Sequence, residues 1–268
     1  MTAKHLKRKA IILGSPYPQD SKYHLRGVAQ DVVNFRKFLM SSAGGAWKRG
    51  EIHHGTHIKS SVVHTIQRLC KDVDIAVIFY SGHGFMRGGE NYININPRES
   101  LNVEHLYTRA KRQTTLVDAC RTDYSYEHLE GIGDIGMYFD NTRPDLGRAL
   151  FDYYLERSPE ENFTMFSSSE NQPSQDTENG GLFTYSLLNK VSDWTLRTDK
   201  LCLPAHVAFT HVERELNQRF VEQEPTYHYS GDIIPTIPFG VSPRSYLRNY
   251  LGQNDRVKSR GMTIRTLS

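Results

Sequence analysis

The chain has 268 residues, of which 38% are hydrophobic, 11% are aromatic and 24% are charged, and its formal net charge is +3 at pH 7. This length and composition allow a buried core and exclude a disordered or collagen-like chain. The longest apolar run, residues 75–80, is far shorter than the ~20 residues of a membrane-spanning helix, and the basic N-terminus leads into an apolar run too short for a signal peptide. We therefore expect a soluble, cytoplasmic protein with no membrane partner.

Apolar periodicity predicts alternating strands and helices in the first third of the chain. A short apolar run over residues 9–13 ends in a turn cluster, which indicates a buried first strand. Helices are predicted over 28–40 and 58–70, where apolar residues recur at three- and four-residue spacing. Residues 74–80 are almost all apolar, as is typical of a parallel strand buried on both faces.

The same alternation continues along the rest of the chain. The further predicted elements are a hairpin around 92–95, a short helix over 103–110, strands at 114–117 and 163–167, helices at 182–190 and 205–220, and an edge strand at 233–239. Residues 121–161, rich in glycine and charge, and the basic tail 241–268 are predicted to be looser. The alternation predicts one α/β sandwich domain over 1–268 with a mainly parallel sheet.

The three cysteines, Cys70, Cys120 and Cys202, do not form a disulfide framework, because their number is odd and the chain is large. Cys70 and Cys202 lie at apolar helical or helix-edge positions and are interpreted as packed, unreactive thiols. Cys120 instead follows directly after a predicted strand, at 114–117. That position makes it a candidate nucleophile.

Two predicted strands end in residues that carry chemistry, one in His83 and the other in Cys120. Ligand sites of open parallel sheets lie beyond the carboxyl ends of the strands, and consecutive parallel strands are often neighbours. We therefore expect His83 and Cys120 to lie side by side, with the imidazole accepting the thiol proton. The glycines that flank His83 allow close approach, so the N–H groups of Gly84 and Cys120 are candidates for an oxyanion hole.

These two segments resemble the histidine and cysteine motifs of the caspase superfamily, which comprises caspases, metacaspases, paracaspases and their prokaryotic relatives. The matching residues are Tyr-Ser-Gly-His-Gly at 80–84 and Asp-Ala-Cys-Arg at 118–121, with further likeness at 25–31, 166–176 and 181–185. The resemblance covers roughly residues 9–190 and leaves a C-terminal helix, edge strand and basic tail in 191–268. It implies a caspase-like three-layer sandwich with helices on both faces of the sheet, and a Cys–His cysteine endopeptidase that needs no cofactor.

The resemblance also implies a specificity. Caspases line the pocket for an acidic P1 side chain with two arginines and a glutamine, and the matching positions here are Leu25, Asp176 and Asp118. Carboxylates favour Arg, and next Lys, through charge-assisted hydrogen bonds, and they repel Asp. Asp31 and Ser81 resemble pocket positions of metacaspases, and Glu170 adds a further charge. The predicted substrate-binding residues are thus Asp31, Ser81, Asp118, Glu170 and Asp176.

Several alternatives stay open. The spacing of 37 residues between His83 and Cys120 is shorter than the ~50 of the caspase signature. The acidic cluster with which many metacaspases bind calcium is not recognisable, so calcium dependence is undecided. The same enzyme with an acidic P1 preference is one alternative, and a catalytically silent scaffold that binds peptides is another. Self-cleavage after Arg148 or Arg157 competes with an uncleaved surface loop.

The resemblance and the residue patterns also give expectations for binding partners and metal sites. The resemblance implies protein substrates, a role in cell death or prokaryotic antiviral defence, and an activating partner protein or small signal molecule. Nucleic acid is not expected as a partner, because the basic tail has few interleaved aromatic residues. The histidine cluster at 53, 54 and 57 predicts no metal site, because zinc needs three or four convergent ligands and no cysteine lies nearby.

Overall fold

A computed structural model of the chain describes residues 6–17, 24–55, 58–122, 137–218 and 222–258. The strands in these residues are β1 (Arg8–Ser15), β2 (Ile52–Gly55), β3 (Ile75–Gly82), β4 (Gly84–Arg87), β5 (Glu90–Asn96), β6 (Glu99–Asn102), β7 (Gln113–Asp118), β8 (Asn162–Phe166), β9 (Asp176–Thr177), β10 (Gly180–Gly181), β11 (Cys202–Pro204), β12 (Thr226–Tyr229) and β13 (Pro238–Val241). The α-helices are α1 (Val28–Met40), α2 (Val62–Leu69), α3 (Pro144–Glu156), α4 (Leu182–Arg197), α5 (Ala205–Gln218) and α6 (Pro243–Lys258).

The centre of the fold is a six-stranded sheet with the order β12-β8-β7-β3-β1-β2. Its strand pairs are parallel except for β12, which runs antiparallel to β8 at the edge. From β1 the chain first adds β2 on one side and then β3 on the other, so the strand order reverses at β1. A crevice for ligands is expected outside the carboxyl ends of the strands at such a reversal.

Both faces of the sheet are buried, and alternate residues of the strands supply the two faces. In β1, Ala10 and Ile12 belong to one hydrophobic cluster, whereas Ile11 and Leu13 belong to the other. This period of two follows from the alternation of side chains along a strand. Helices α1, α3, α4 and α5 cover the first cluster, and α2 covers the second. The predicted α/β sandwich with helices on both faces is confirmed.

Most predicted elements are present with small shifts of their ends. Helix α1 spans the predicted residues 28–40, because Val28, Val32, Phe35 and Leu39 form its buried face. The predicted central strands correspond to β1, β3, β7 and β8, and the predicted helices at 182–190 and 205–220 correspond to α4 and α5. Among the described residues, no helix is long and apolar enough to cross a membrane.

The prediction of a loose segment over 121–161 is wrong for its second half, where α3 forms. Pro144 stands at the first turn of α3, a position at which proline begins a helix rather than breaking it. The buried residues Gly147, Leu150, Phe151 and Leu155 recur at helical spacing. The glycine, proline and charged residues of the whole segment favoured a loop in the sequence prediction, so the helical spacing of these apolar residues was not recognised. Of the two predicted self-cleavage positions, Arg148 lies inside α3. Residues 123–136 lie outside the described part of the chain.

The edge strand predicted at 233–239 is present only at its end, where Pro238 and Phe239 begin β13. One edge of the central sheet is β12, a polar and aromatic segment, whereas β13 pairs with β11 in a separate two-stranded sheet. The burial of β12 does not alternate, so period-two reasoning does not detect it. Within the tail 241–268, residues 243–258 form α6, and 259–268 lie outside the described residues.

Three shorter elements differ from prediction. The helix predicted over 58–70 begins only at Val62. The helix predicted over 103–110 is a single 3-10 turn, Val103–Leu106, whose two buried apolar residues have the three-residue spacing of such a turn. The predicted hairpin around 92–95 is the middle of a three-stranded antiparallel sheet, β4-β5-β6, which follows His83 directly.

Candidate active site

His83 and Cys120 follow the ends of two neighbouring strands. In the β3–β7 pair, Ser81 lies opposite Asp118, and His83 and Cys120 each come two residues later. The two segments touch, since a Cβ atom added to Gly84 would lie 2.7 Å from the carbonyl oxygen of Cys120. Only glycine fits this close approach. The structure thus brings His83, Gly84 and Cys120 together at the carboxyl edge of the sheet.

The backbone of His83 is tied to both neighbouring elements. Its carbonyl oxygen accepts hydrogen bonds from the hydroxyl group of Tyr80 at 2.7 Å and from the N–H of Asn94 at 2.9 Å. Tyr80 belongs to β3 and Asn94 to β5, so these bonds hold the histidine between the central sheet and the small antiparallel sheet. His83 itself is buried.

The thiol of Cys120 is buried and hydrogen-bonded to a neighbouring loop. The N–H of Ser174 donates to Sγ of Cys120 at 3.2 Å, and Sγ lies 3.5 Å from the Ser174 carbonyl oxygen. Burial raises the pKa of the Cys120 thiol to about 11; the Ser174 N–H lowers this pKa, while Asp118 and Asp176 raise it. The thiol is therefore protonated at neutral pH in this arrangement, and it becomes a nucleophile only when a base accepts its proton.

Asp118 lies two residues before Cys120 and has well-defined hydrogen-bond partners. The backbone N–H and the hydroxyl group of Thr184 donate to its Oδ2 at 3.0 and 2.6 Å. The hydroxyl group of Ser174 donates to Oδ1 at 2.8 Å. A carboxylate held by several donors presents a fixed negative charge to the neighbouring cavity.

Three aspartates lie around the glycine pair of β10, Gly180 and Gly181, namely Asp31, Asp118 and Asp176. Asp31 accepts hydrogen bonds from the hydroxyl group of Ser81 at 2.7 Å and from the N–H of Gly181 at 3.0 Å. A Cβ atom at Gly181 would lie 2.4 Å from Oδ2 of Asp118, so this backbone passes between the carboxylates. The pKa of Asp31 is raised well above its ordinary value, first by burial and next by the charge of Asp118.

A small cavity lies beside the candidate nucleophile. Its volume is about 20 Å³, which is space for about one water molecule. Its lining includes Ser81, Asp118, Cys120, Ser174 and Asp176. Four of the predicted substrate-binding residues, Asp31, Ser81, Asp118 and Asp176, therefore belong to one cluster next to Cys120.

The structure does not bring the fifth predicted substrate-binding residue, Glu170, into this cavity. Glu170 lines a separate groove of about 660 Å³ and lies 3.4 Å from the guanidinium of Arg121. Its side chain is 65% exposed. The loop after β8 turns between Glu170 and Ser174, which separates Glu170 from Asp176, and a sequence match gives no sign of such a turn.

Sequence reasoning did not identify three residues that shape the site, namely Ser174, Thr184 and Gln223. Ser174 and Thr184 stand within the matched motif segments, but nothing in their residue type indicated a contact with Asp118. Gln223 follows α5 as a lone glutamine in a polar stretch, and it is fully buried against the loop that carries Ser174. The contacts of Ser174 and Gln223 depend on the conformation of two loops, which no sequence pattern encodes. Thr184 lies in α4, but its contact with Asp118 depends on how α4 packs against β7.

The described residues contain no group of three or more His, Cys, Asp and Glu side chains arranged to hold a metal ion. His53 and His54 of the predicted histidine cluster are exposed on β2, and residue 57 lies outside the described residues.

Comparisons with known proteins agree with the fold. The chain is 15% identical to caspase-1 from Spodoptera frugiperda, with a TM-score of 0.57 and coverage of 90% of this chain and 93% of that one. It is 16% identical to protein GSU0716 from Geobacter sulfurreducens, with a TM-score of 0.54 and coverage of 88% and 98%. Curated protein sequences gave no match. A family model described as the caspase domain matches residues 7–232, and the chain therefore belongs to the caspase-domain peptidase family.

Proposed function

We propose that this protein is a cysteine endopeptidase that cleaves protein substrates after a basic P1 residue, Arg in preference to Lys. One observation carries the proposal. Cys120 follows a strand end beside the His83 segment and lines the same cavity as two carboxylates, Asp118 and Asp176, with Asp31 adjoining. A nucleophile, a base and a cluster of negative charge meet there, as cleavage after a cationic residue requires.

The chemistry assigns one role to each residue. His83 accepts the proton of Cys120, and the resulting thiolate attacks the carbonyl carbon of the scissile bond. The N–H groups of Gly84 and Cys120 bind the oxyanion that develops. His83 then donates its proton to the leaving amine, and the peptide bond breaks to leave a thioester. Water attacks the thioester, which releases the acid product and restores the thiol.

The carboxylates account for the proposed specificity. The guanidinium of an arginine forms paired, charge-assisted hydrogen bonds with a carboxylate, whereas the ammonium of lysine binds as a point charge. An aspartate at P1 would bring a further negative charge to Asp118 and Asp176. We therefore place Arg first, Lys second and Asp last.

The biological setting is proposed by analogy with the family. We place the protein in the cytoplasm as a regulated effector protease of cell death or prokaryotic antiviral defence, switched on by a partner protein or a small signal molecule. The burial of Cys120 and the small cavity of about 20 Å³ beside it support regulation, because a substrate carbonyl must reach the sulfur before attack.

Hydrolysis of two fluorogenic peptide series, with Arg or Lys at P1 in one and Asp in the other, tests the proposal. Activity on the basic series that disappears in the Cys120→Ala variant would support both the nucleophile and the pocket. Cleavage after Asp alone would retain the nucleophile and refute the charge argument.

A second candidate function is a peptide-binding scaffold without catalysis, and the buried thiol of Cys120, whose pKa is raised, is the observation that favours it. Labelling of Cys120 with an acyloxymethylketone probe, with and without cell extract, separates this scaffold from a latent protease. A latent protease gains label when its activator is supplied, whereas a scaffold stays unlabelled in both conditions.

A further inference from the structure

A groove of about 660 Å³ begins one residue after the candidate nucleophile, where Arg121 is part of its lining. Phe166 also lines this groove, and it belongs to the hydrophobic cluster that α2 covers. Asp118 faces the other way, because side chains alternate along β7 and its neighbour Val117 belongs to that same cluster. The groove and the P1 carboxylate therefore lie on opposite faces of the central sheet, with Cys120 at the edge between them.

The proposed reaction indicates which part of a substrate passes along this groove. His83 donates its proton to the leaving amine, so the residue after the scissile bond lies on the histidine side of Cys120. The sheet β4-β5-β6 follows His83 directly, and β5 contributes Glu90 and Asn91 to the groove. The side chain of Asn91 accepts a hydrogen bond from Arg121 at 2.7 Å, which connects this sheet to the residue after Cys120. The groove is thus positioned for the primed residues of a substrate, P1′ and beyond.

The lining of the groove carries more negative than positive charge. Its three glutamates come from β5, from the 3-10 turn before β7 and from the loop after β8, and they are Glu90, Glu104 and Glu170. Among the described residues of the lining, Arg121 is the only Lys or Arg. Arg121 is buried and lies 3.4 Å from Glu170, so it offsets no more than one of the three negative charges. The glutamates are exposed to solvent, and a groove of this charge attracts cations.

The floor of the groove is apolar. Val103 and Phe166 are buried there, and Tyr107 is half-buried. Long basic side chains pack their methylene stems against apolar surface while the charged head stays in water. In this groove such a head would lie beside a glutamate carboxylate, which forms charge-assisted hydrogen bonds with Arg and Lys. A small metal ion would gain nothing from the apolar floor, so the lining favours a basic side chain.

We propose that this groove is the primed-side subsite of the protease and that it selects substrates with Lys or Arg at P1′ to P3′. The inference rests on the proposed function and extends it to the residues after the scissile bond. Glu90, Glu104 and Glu170 are the specificity-determining residues of this subsite. With a basic P1 residue on the other side of the scissile bond, the substrate class is a polybasic protein segment.

The test uses two peptides that are identical up to an Arg at P1 and carry either Lys or Glu at each of the three positions after it. The wild type is compared with Glu104→Gln/Glu170→Gln, which removes two exposed charges and keeps the side-chain sizes. We expect kcat/KM of the wild type to be about tenfold higher for the Lys peptide, since each exposed ion pair contributes modestly. The double variant should reduce this ratio to about threefold or less. High salt should reduce the wild-type ratio as well, because screening weakens exposed charge pairs.

The control is Glu156→Gln/Asp193→Asn, because both residues are exposed and lie on α3 and α4, which cover the other face of the sheet. This variant makes the same change of net charge, so an effect of overall charge on basic peptides would appear in both double variants. We expect its ratio of Lys-peptide to Glu-peptide hydrolysis to equal that of the wild type. The same ratio in both double variants overturns the subsite.

A binding measurement separates the subsite from the proposed function. In Cys120→Ala the peptides stay uncleaved, and fluorescence anisotropy gives the Kd of each peptide with and without the two glutamate substitutions. Tighter binding of the Lys peptide that is lost with these substitutions, together with no hydrolysis by the wild type, supports the subsite and refutes the protease. Hydrolysis of both peptides at equal rates retains the protease and refutes the subsite. Absence of both hydrolysis and a difference in binding refutes both.

Discussion

The hydroxyl group of Ser174 donates a hydrogen bond to the carboxylate of Asp118 at 2.8 Å, beside the buried thiol of Cys120. A neutral hydroxyl group thus occupies an oxygen that a P1 guanidinium is proposed to bind. The carboxylate that is proposed to bind the P1 side chain is therefore held by the same residue that contacts the candidate nucleophile.

Replacement of Asp118 tests the pocket. Asp118→Asn removes the negative charge while it keeps the size of the side chain, so we expect kcat/KM for P1-Arg peptides to fall about 100-fold, as the loss of a charge-assisted contact predicts. Asp193→Asn is the matched control, because Asp193 is exposed on α4. A similar loss in both variants, or none in Asp118→Asn, would contradict the pocket.

Glu170 offers a complementary test, because the structure separates it from the cavity. We expect Glu170→Gln to change the ratio of P1-Arg to P1-Lys hydrolysis by less than about twofold, since an exposed charge acts weakly over distance. Steady-state kinetics with the two peptides measure this ratio. A clear shift in P1 preference would restore Glu170 as a residue of the P1 pocket.

Asp31 predicts a pH dependence of stability. Its pKa is raised in the folded protein, so the protonated form is favoured on folding and stability falls as pH rises from about 4 through the raised pKa. Asp31→Asn removes this titration, and its advantage in Tm over the wild type should be larger at pH 8 than at pH 5. Thermal melts at the two pH values measure the difference, and a constant or reversed difference would contradict the assignment.

Arg121 stabilises the segment that follows the nucleophile. Its guanidinium donates to the side chains of Asn91 and Thr226 and to the carbonyl oxygen of Ser168, and it lies 4.7 Å from the centre of the Phe166 ring. Arg121→Met removes the donor from the buried carbonyl oxygen of Ser168 and from the half-buried side chains of Asn91 and Thr226, so we expect the free energy of unfolding to fall by about 2–4 kcal/mol.

Urea denaturation measures this loss, and Arg143→Met is its control. Arg143 pairs with Asp145 on the exposed surface, where an ion pair contributes little. Equal stability of the two variants would show that the Arg121 contacts contribute no more than a surface pair.

The four central strands of the sheet, and the proximity of His83 to Cys120, could be predicted from the sequence alone. Apolar runs identify β1, β3, β7 and β8, and parallel topology then brings the ends of β3 and β7 together. The proximity of the two candidate residues is thus a consequence of strand order. The roles of His83, Gly84 and Cys120 remain predictions.

Loop contacts and polar edges could not be predicted. The bonds from Ser174 and Gln223 depend on how two irregular segments meet, and no periodicity describes such a meeting. The burial of edge strand β12 does not alternate, so period-two reasoning did not predict this strand. The more apolar residues at 233–239 were predicted as the late strand instead. Helix α3 was not predicted, because Pro144 at its first turn was taken as a sign of a loop. The buried residues of α3 nevertheless recur at helical spacing.

Identification of the attacking residue tests the central claim most directly. The wild type and Cys120→Ser are incubated with acyloxymethylketone peptides that carry Arg or Asp at P1, and adducts are located by intact mass and peptide mapping. We expect one adduct, on Cys120, from the Arg reagent and none from the Asp reagent, with loss of the adduct in Cys120→Ser. An adduct on Cys70 or Cys202, or equal reaction of Cys120 with the Asp reagent, would contradict it.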